Sequence, residues 1–342
     1  MNADFSTRIL ASVQELAAIE NEWLQLCERC SSTTPFQRPE WILAWLEVFS
    51  PTHIRTIEVR RDGKVVGLAP LLIYSRREER VLAFMAGGVS DYLDLLADPA
   101  LEHEIVSVIL DSVAKLEGWT TFDLTDVSAR SVLRRTLLSS FATVHDSCSV
   151  LTFPGSEKDL LQLLSKRQRA NLRNGKSRLE RAGGGEVEVA TSESLPSFLD
   201  DLFYLHTTRW AHTGESGVLA QENIRAFHRK AAPTLLARGI LRMCRLRVSG
   251  RTVAAMHTLR QQSTTFCYLQ GFDPEFAFLS PGTQLMFSAI IDALQSGMNR
   301  FDFLRGEESY KDHWRAVSEP TYRIELSRTA LKSVLLAQDV AA

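Results

Sequence analysis

Two stretches of the sequence place chemically capable residues at useful spacing. The first is Ser280-Pro281-Gly282-Thr283-Gln284. Serine suits a helix N-cap, proline the first helical position, and glycine a point where a ligand approaches the backbone. The amides of Gly282, Thr283 and Gln284 then point outward with the positive end of the helix dipole, which makes a cradle for a diphosphate. The second stretch is FDFLRGEESYKDHW, Phe301 to Trp314. Asp302 alternates against Phe301 and Phe303 as on a buried strand. Arg305, Glu307, Tyr310 and Lys311 follow at the strand's exit, where ligands meet an open sheet. Carboxylates and a phenol there could move protons, and the cations could hold an anionic substrate.

Other candidates surround these. Residues 166–181 hold Lys166, Arg167, Arg169, Arg173, Lys176, Arg178 and Arg181 against one acid, Glu180. In a chain of net charge −2, that concentration reads as an anion platform, with Arg169 and Arg173 as substrate contacts. The alternative is a solvated helix face. Aromatic residues are not interleaved with the cations, which argues against nucleic acid. His206, Arg209, Trp210 and His212 cluster at the end of a helix; Arg209 is kept as a substrate candidate and the histidines as packing. His257 reads as a core histidine. Cys27 and Cys30 form a C-x-x-C pair without a second ligand pair, so buried helical thiols are expected rather than a metal or redox site.

The elements that must position these residues repeat. The first half reads as a strand near 7–12, a helix over 14–30 and a helix opened by Pro39. Strands follow at 54–60, 64–74 and 80–87. A helix runs from Pro99 to Lys115, then a strand at 120–127, a helix near 129–140 and a strand at 148–153. The second half repeats the order. One long basic helix starts at Ser156 with Asp159 and stops at the glycines of 183–185, and a strand follows. Helices are expected over 195–206 and 221–238, then three strands. A helix runs from Pro281 to Gly297, then strand, short helix and strand. Gly63-Lys64-Val65-Val66-Gly67 echoes Gly250-Arg251-Thr252-Val253-Ala254. Gly118 precedes Phe122-Asp123-Leu124 by the step that separates Gly297 from Phe301-Asp302-Phe303. Echoes in the same order indicate duplication, with a boundary at Phe153-Pro154-Gly155-Ser156. This gives an α/β (α+β) chain of two tandem domains, 1–154 and 155–342, each a mixed, mainly antiparallel sheet flanked by helices.

This order of elements, with PFQRPEWILAWLEVF, GGVSDYLDLL, HTTRW, YLQGFDPEFAFLSPGTQLM and above all RFDFLRGEESYKDHW, resembles the GNAT acyltransferases in a FemAB-like tandem arrangement. It is most similar to the BioF2-like or CelD-type family linked with cellulose and exopolysaccharide synthesis. The resemblance implies acyl transfer from acetyl-CoA or another acyl-CoA to an amine or hydroxyl of a small or saccharide acceptor. It implies that Ser280, Gly282, Thr283 and Gln284 hold the donor. It implies Tyr310 as the acid that protonates the leaving thiolate, and Glu307 or Asp302 as base. An amide of the strand near Tyr268 to Gly271 would hold the oxyanion. The family's Q/R-x-x-G-x-G/A loop is reduced here to Gly282. The matching stretch of the first half, DLLADPALEHEI, lacks glycine and carries carboxylates, so the cofactor is assigned to the second half alone. Two alternatives stand beside this reading: a FemAB-type aminoacyl transferase using charged tRNA and a cell-wall precursor, and a binding or assembly subunit without turnover.

The bulk numbers bound the rest. The 342 residues suit two domains, and 45% apolar against 23% charged residues is ordinary for a globular chain. Five cysteines, an odd number, suit a reducing compartment. The N-terminus does not read as a signal peptide, and no run approaches the roughly 18 apolar residues of a membrane helix. The expectations are a cytoplasmic protein with no metal, no DNA partner and no integral membrane segment, with polysaccharide-synthesis proteins as possible partners.

Overall fold

The computed structural model describes residues 5–135, 137–212, 214–306 and 308–341. The chain divides into two compact units, Met1–Asp146 with Pro320–Ala342, and Ser147–Glu319. In chain order the first elements are β1 (Phe5–Leu10), α1 (Val13–Ala18), α2 (Glu20–Arg29), α3 (Pro39–Phe49), β2 (Thr56–Arg61), β3 (Lys64–Ala69), β4 (Leu71–Arg76), β5 (Glu79–Phe84), β6 (Leu96–Ala97), α4 (Glu102–Lys115), β7 (Thr121–Ser128) and β8 (Ala142–Thr152). The later ones are α5 (Glu157–Leu163), α6 (Lys166–Arg181), β9 (Gly185–Val189), α7 (Leu195–His212), α8 (Glu222–Ala237), β10 (Leu241–Val248), β11 (Arg251–Gln261), β12 (Thr264–Phe272), α9 (Pro281–Gln295), β13 (Arg300–Arg305), β14 (Val317–Ser327) and α10 (Arg328–Ala341).

The internal repeat is visible in backbone detail. In both units a hairpin turns on two residues of positive φ, Asp62-Gly63 and Ser249-Gly250, the geometry a two-residue β-turn needs. Both hairpins shift register three residues before that turn, at Val59/Arg60 and at Leu246/Arg247. Each unit then closes on a short parallel pair, β5 with β7 and β12 with β13. Gly118 (φ 81°) and Gly297 (φ 77°) reverse the chain between helix and strand.

Several expected elements differ. The helix over 14–30 breaks at Ile19 into α1 and α2. The strand over 64–74 is two strands, because Pro70 interrupts the ladder. The long basic helix is α5 and α6: Leu164 is extended, and the Ser165 hydroxyl starts a new helix by accepting from the Gln168 amide. Among the described residues of 129–141 only short 3-10 turns form. The division also departs from 1–154 and 155–342. β14 pairs antiparallel with β7, so the chain's last strand belongs with the first half, while Cys148–Thr152 of β8 pair with β13. Pro154-Gly155 ends a strand and is not a boundary between units.

In the second unit β9 to β12 form an antiparallel meander, and β13 joins β12 in parallel. Its core gathers leucines of α6, such as Leu172 and Leu179, with Met256, Leu285, Ile290, Phe301 and Trp314. Gly175 sits mid-helix in α6 because Gln284 of α9 crosses there, and a β-carbon would collide with its amide.

Candidate active site

The parallel pairing of β12 and β13 covers only Thr264–Phe266 against Arg300–Asp302. Beyond it the strands part. Two bulges drive them apart: Tyr268 is an extra residue of β12 against β11, and β13 gains one residue against β8 between Asp302 and Arg305. The opening is a cleft of about 280 Å³. α9 points its N-terminus at it, with Gly282 and Thr283 in the lining. The Gln284 amide donates to the Ser280 carbonyl at 3.1 Å and so is spent within the helix. The amides of Gly282 and Thr283 have no acceptor among the described residues, and they keep the anion-binding geometry. Gly282 packs against Phe272, whose Cδ1 would lie 3.3 Å from a β-carbon at that position.

Tyr310 lines the same cleft. Its hydroxyl oxygen accepts from Gln270 Nε2 at 2.8 Å, which leaves the phenolic proton for another partner. Burial pushes its ionisation well above the usual phenol range. The group is therefore a neutral donor at any physiological pH. Arg209, from the last turn of α7, completes the wall, its guanidinium 5.6 Å from the ring centres of both Trp210 and Phe272.

The remaining candidates are placed otherwise. Ser280 does not cap α9 through its side chain: it adopts a left-handed conformation (φ 55°), and its hydroxyl accepts from Arg178 at 2.9 Å. The Gln284 side chain donates to the Leu172 carbonyl at 3.2 Å and ties α9 to α6. Asp302 is buried and accepts the Leu304 amide at 2.8 Å, which holds the bulge where Leu304 takes φ 60°. It does not line the cleft. Lys311 is 2% exposed. Its ammonium donates to the carbonyls of Leu304, Arg305 and Gly306 at 3.0, 2.6 and 2.9 Å and pairs with Glu308 at 3.0 Å. It anchors the loop that presents Tyr310 instead of meeting a substrate. Arg305 contributes one of those carbonyls and lies outside the cleft lining. Arg169 donates to the carbonyls of Leu161, Gln162 and Leu164, closing the end of α5. Arg173 is exposed, away from the cleft lining. Glu307 lies outside the described residues. Sequence reasoning missed Gln168, Gln270 and His313, which also line the cleft. Gln270 had a signal, since it sits in the strand segment already suspected of holding an oxyanion. Gln168 and His313 had no such signal.

Residues 166–312, which contain α6, Tyr310 and the cleft lining apart from His313 and Trp314, match the family described as acetyltransferase (GNAT) domain. The fold is that of a GNAT acetyltransferase domain. Three solved structures resemble nearly the whole chain. FemX is 13% identical, covers 96% of this chain and 100% of its own, and superposes with a TM-score of 0.66. L-PGS from Bacillus licheniformis is 13% identical over 88% of this chain and 96% of its own, with a TM-score of 0.55. A conserved protein of unknown function from Bacteroides thetaiotaomicron is 14% identical over 94% and 99%, with a TM-score of 0.57. At such identities the likeness is one of fold. No curated protein matches the chain. Among the described residues, no helix is long and apolar enough to cross a membrane and no group of residues could hold a metal ion.

Proposed function

We propose that this chain transfers an acyl group, with acetyl-CoA as the first donor to test, to an amine or hydroxyl of a small or saccharide acceptor. One observation carries the reading: a neutral phenol with an unspent proton shares a cleft with two unspent amides at a helix N-terminus. The amides suit the donor's diphosphate, and the opening between β12 and β13 suits the thioester arm. The acceptor nitrogen or oxygen attacks the thioester carbon, forming the new bond as the carbonyl electrons move to oxygen. His313, the imidazole lining the cleft, takes the acceptor's proton. A main-chain amide of β12 steadies the oxyanion. When the carbon–sulfur bond breaks, Tyr310 gives its proton to the thiolate and is reprotonated from His313 or water. Five buried free cysteines fit a reducing compartment such as cytoplasm. A place in exopolysaccharide or cellulose synthesis rests on the sequence resemblance, of which the FDFLRGEESYK segment is the most specific part.

Tyr310→Phe tests the chemistry. Thiol release should fall at least tenfold while acetyl-CoA affinity, read by calorimetry, stays within twofold. Unchanged turnover removes Tyr310 from the acid role.

A second reading, aminoacyl transfer from charged tRNA, draws on one specific feature. Lys166, Arg167, Arg173 and Lys176 are exposed on α6 and form no ion pair among the described residues. By contrast Arg242, Arg245, Arg251, Arg260 and Arg300 of the same unit all pair with carboxylates. Retention of charged tRNA at 0.15 M salt, with no acyl-CoA binding, would favour it.

A further inference from the structure

Within the acyl-transfer reading, the cleft itself says something about the second substrate. Arg209 is half-buried and lines the cleft, yet it makes no hydrogen bond or ion pair among the described residues. Two aromatic faces, Trp210 and Phe272, carry its guanidinium. Such stacking holds a guanidinium in place while leaving its in-plane donors unspent. The polar groups that line the cleft with it, among the described residues, are Gln168, Gln270, Thr283, His313 and the phenol of Tyr310. Among the described residues no carboxylate lines this cleft. A cation partly removed from water without a counter-charge is costly, and a ligand anion removes that cost.

We propose that Arg209 recognises a phosphate or carboxylate on the acceptor, making this an acyltransferase for anionic acceptors. The inference rests on the acyl-transfer reading for its chemistry, and on the unpaired guanidinium for its specificity. The donor's diphosphate is the other possible source of the anion, but α9 already offers Gly282 and Thr283 to that group. At the hydroxyl of Tyr310 burial, and after it the charge of Glu308, oppose ionisation, while the charge of Arg209 eases it. Its anion therefore lies within reach of the reacting end of the cleft. The same placement gives a second consequence: an acceptor fixed through its anion is oriented before its nucleophile reaches the thioester, so loss of Arg209 should act mainly on KM.

Three measurements on the full chain test this. Thiol release from acetyl-CoA is followed with matched acceptors, glucosamine 6-phosphate against glucosamine and an amino acid against its amide. Wild type should favour the anionic member of at least one pair by tenfold or more in kcat/KM, and Arg209→Gln should erase that preference through KM. Arg209→Lys should keep part of it, which separates lost recognition from lost folding. Calorimetry with CoA should give the same affinity for wild type and Arg209→Gln. Calorimetry with inorganic phosphate in CoA-saturated protein should show binding that Arg209→Gln abolishes, and this arm holds even if no acceptor turns over. The proposal is overturned by no preference in wild type, by a preference that survives Arg209→Gln, or by a tenfold loss of CoA affinity in that variant, which would assign the anion to the donor. An equal fall in kcat for charged and neutral acceptors would also overturn it, since Arg209 would then be stabilising charge in the transition state.

Discussion

At the level of single residues, the chemistry depends on what each polar group has left over after folding. Tyr310 has a proton left because Gln270 takes the acceptor role of its oxygen. His313 is exposed and lines the same cleft, and in the proposed reaction it takes the acceptor's proton. His313→Gln should therefore lower kcat/KM at least tenfold while leaving CoA affinity alone. An unchanged kcat/KM would move the base elsewhere. Lys311 has nothing left over. Replacing it with Met strands one buried and two part-buried carbonyls, a loss on the order of 2–3 kcal/mol, and loosens the loop that carries Tyr310. The expected result is a lower melting temperature together with lower kcat; a fall in neither would show that the loop holds itself. Sequence alone reached Tyr310, Gly282, Thr283 and Arg209, because a helix start and a strand exit leave local signatures. It could not separate Lys311 or Arg169 from substrate contacts. Their cationic heads turn inward onto carbonyls that only the folded loop and the end of α5 bring together.

At the level of elements, α7, α8 and β11 bury imidazoles on one side of the sheet. His228, His257 and Tyr268 pack edge-on or tilted against one another, each pair of ring centres 5.5 Å apart, and His206 Nε2 accepts from Trp210 at 3.0 Å. Burial holds His206 and His257 down to about 4, and His228 well below its usual range. In the unfolded chain each imidazole takes a proton below about pH 6.5, whereas the folded chain resists until near pH 4. Stability is thus fully present above about 6.5 and is lost as pH falls from there toward 4, each group contributing about 1.4 kcal/mol per pH unit. Urea midpoints should fall clearly between pH 7 and pH 5. A flat response would mean that these histidines are solvated. Periodicity found most of the helices and strands but not α10, placed a helix near 129–140 where 3-10 turns form, joined α1 to α2, and also joined α5 to α6 and β3 to β4. In the last two cases a hydrophobic pattern runs across a residue, Ser165 or Pro70, whose backbone preference breaks the element.

At the level of the whole molecule, the duplication was legible in its echoes, while the exchange of last strands was not, since β-pairing between distant segments leaves no local mark. The exchange has a consequence. A fragment starting at residue 155 keeps the GNAT-matching segment but loses Cys148–Thr152, the strand that flanks β13. It should be insoluble or fail to unfold cooperatively, whereas 147–319 keeps that strand. A cooperative, CoA-binding 155–342 fragment would contradict the division described here. The account as a whole depends on main-chain amides at the start of α9 gripping a diphosphate beside Tyr310. The direct measurement is calorimetry of acetyl-CoA binding to the full chain and to Gly282→Glu, which sets a carboxylate at those amides. Micromolar binding, weakened at least tenfold by the substitution, or about 1.4 kcal/mol, is the expected result; no heat from wild type, or equal affinity in the variant, would contradict it.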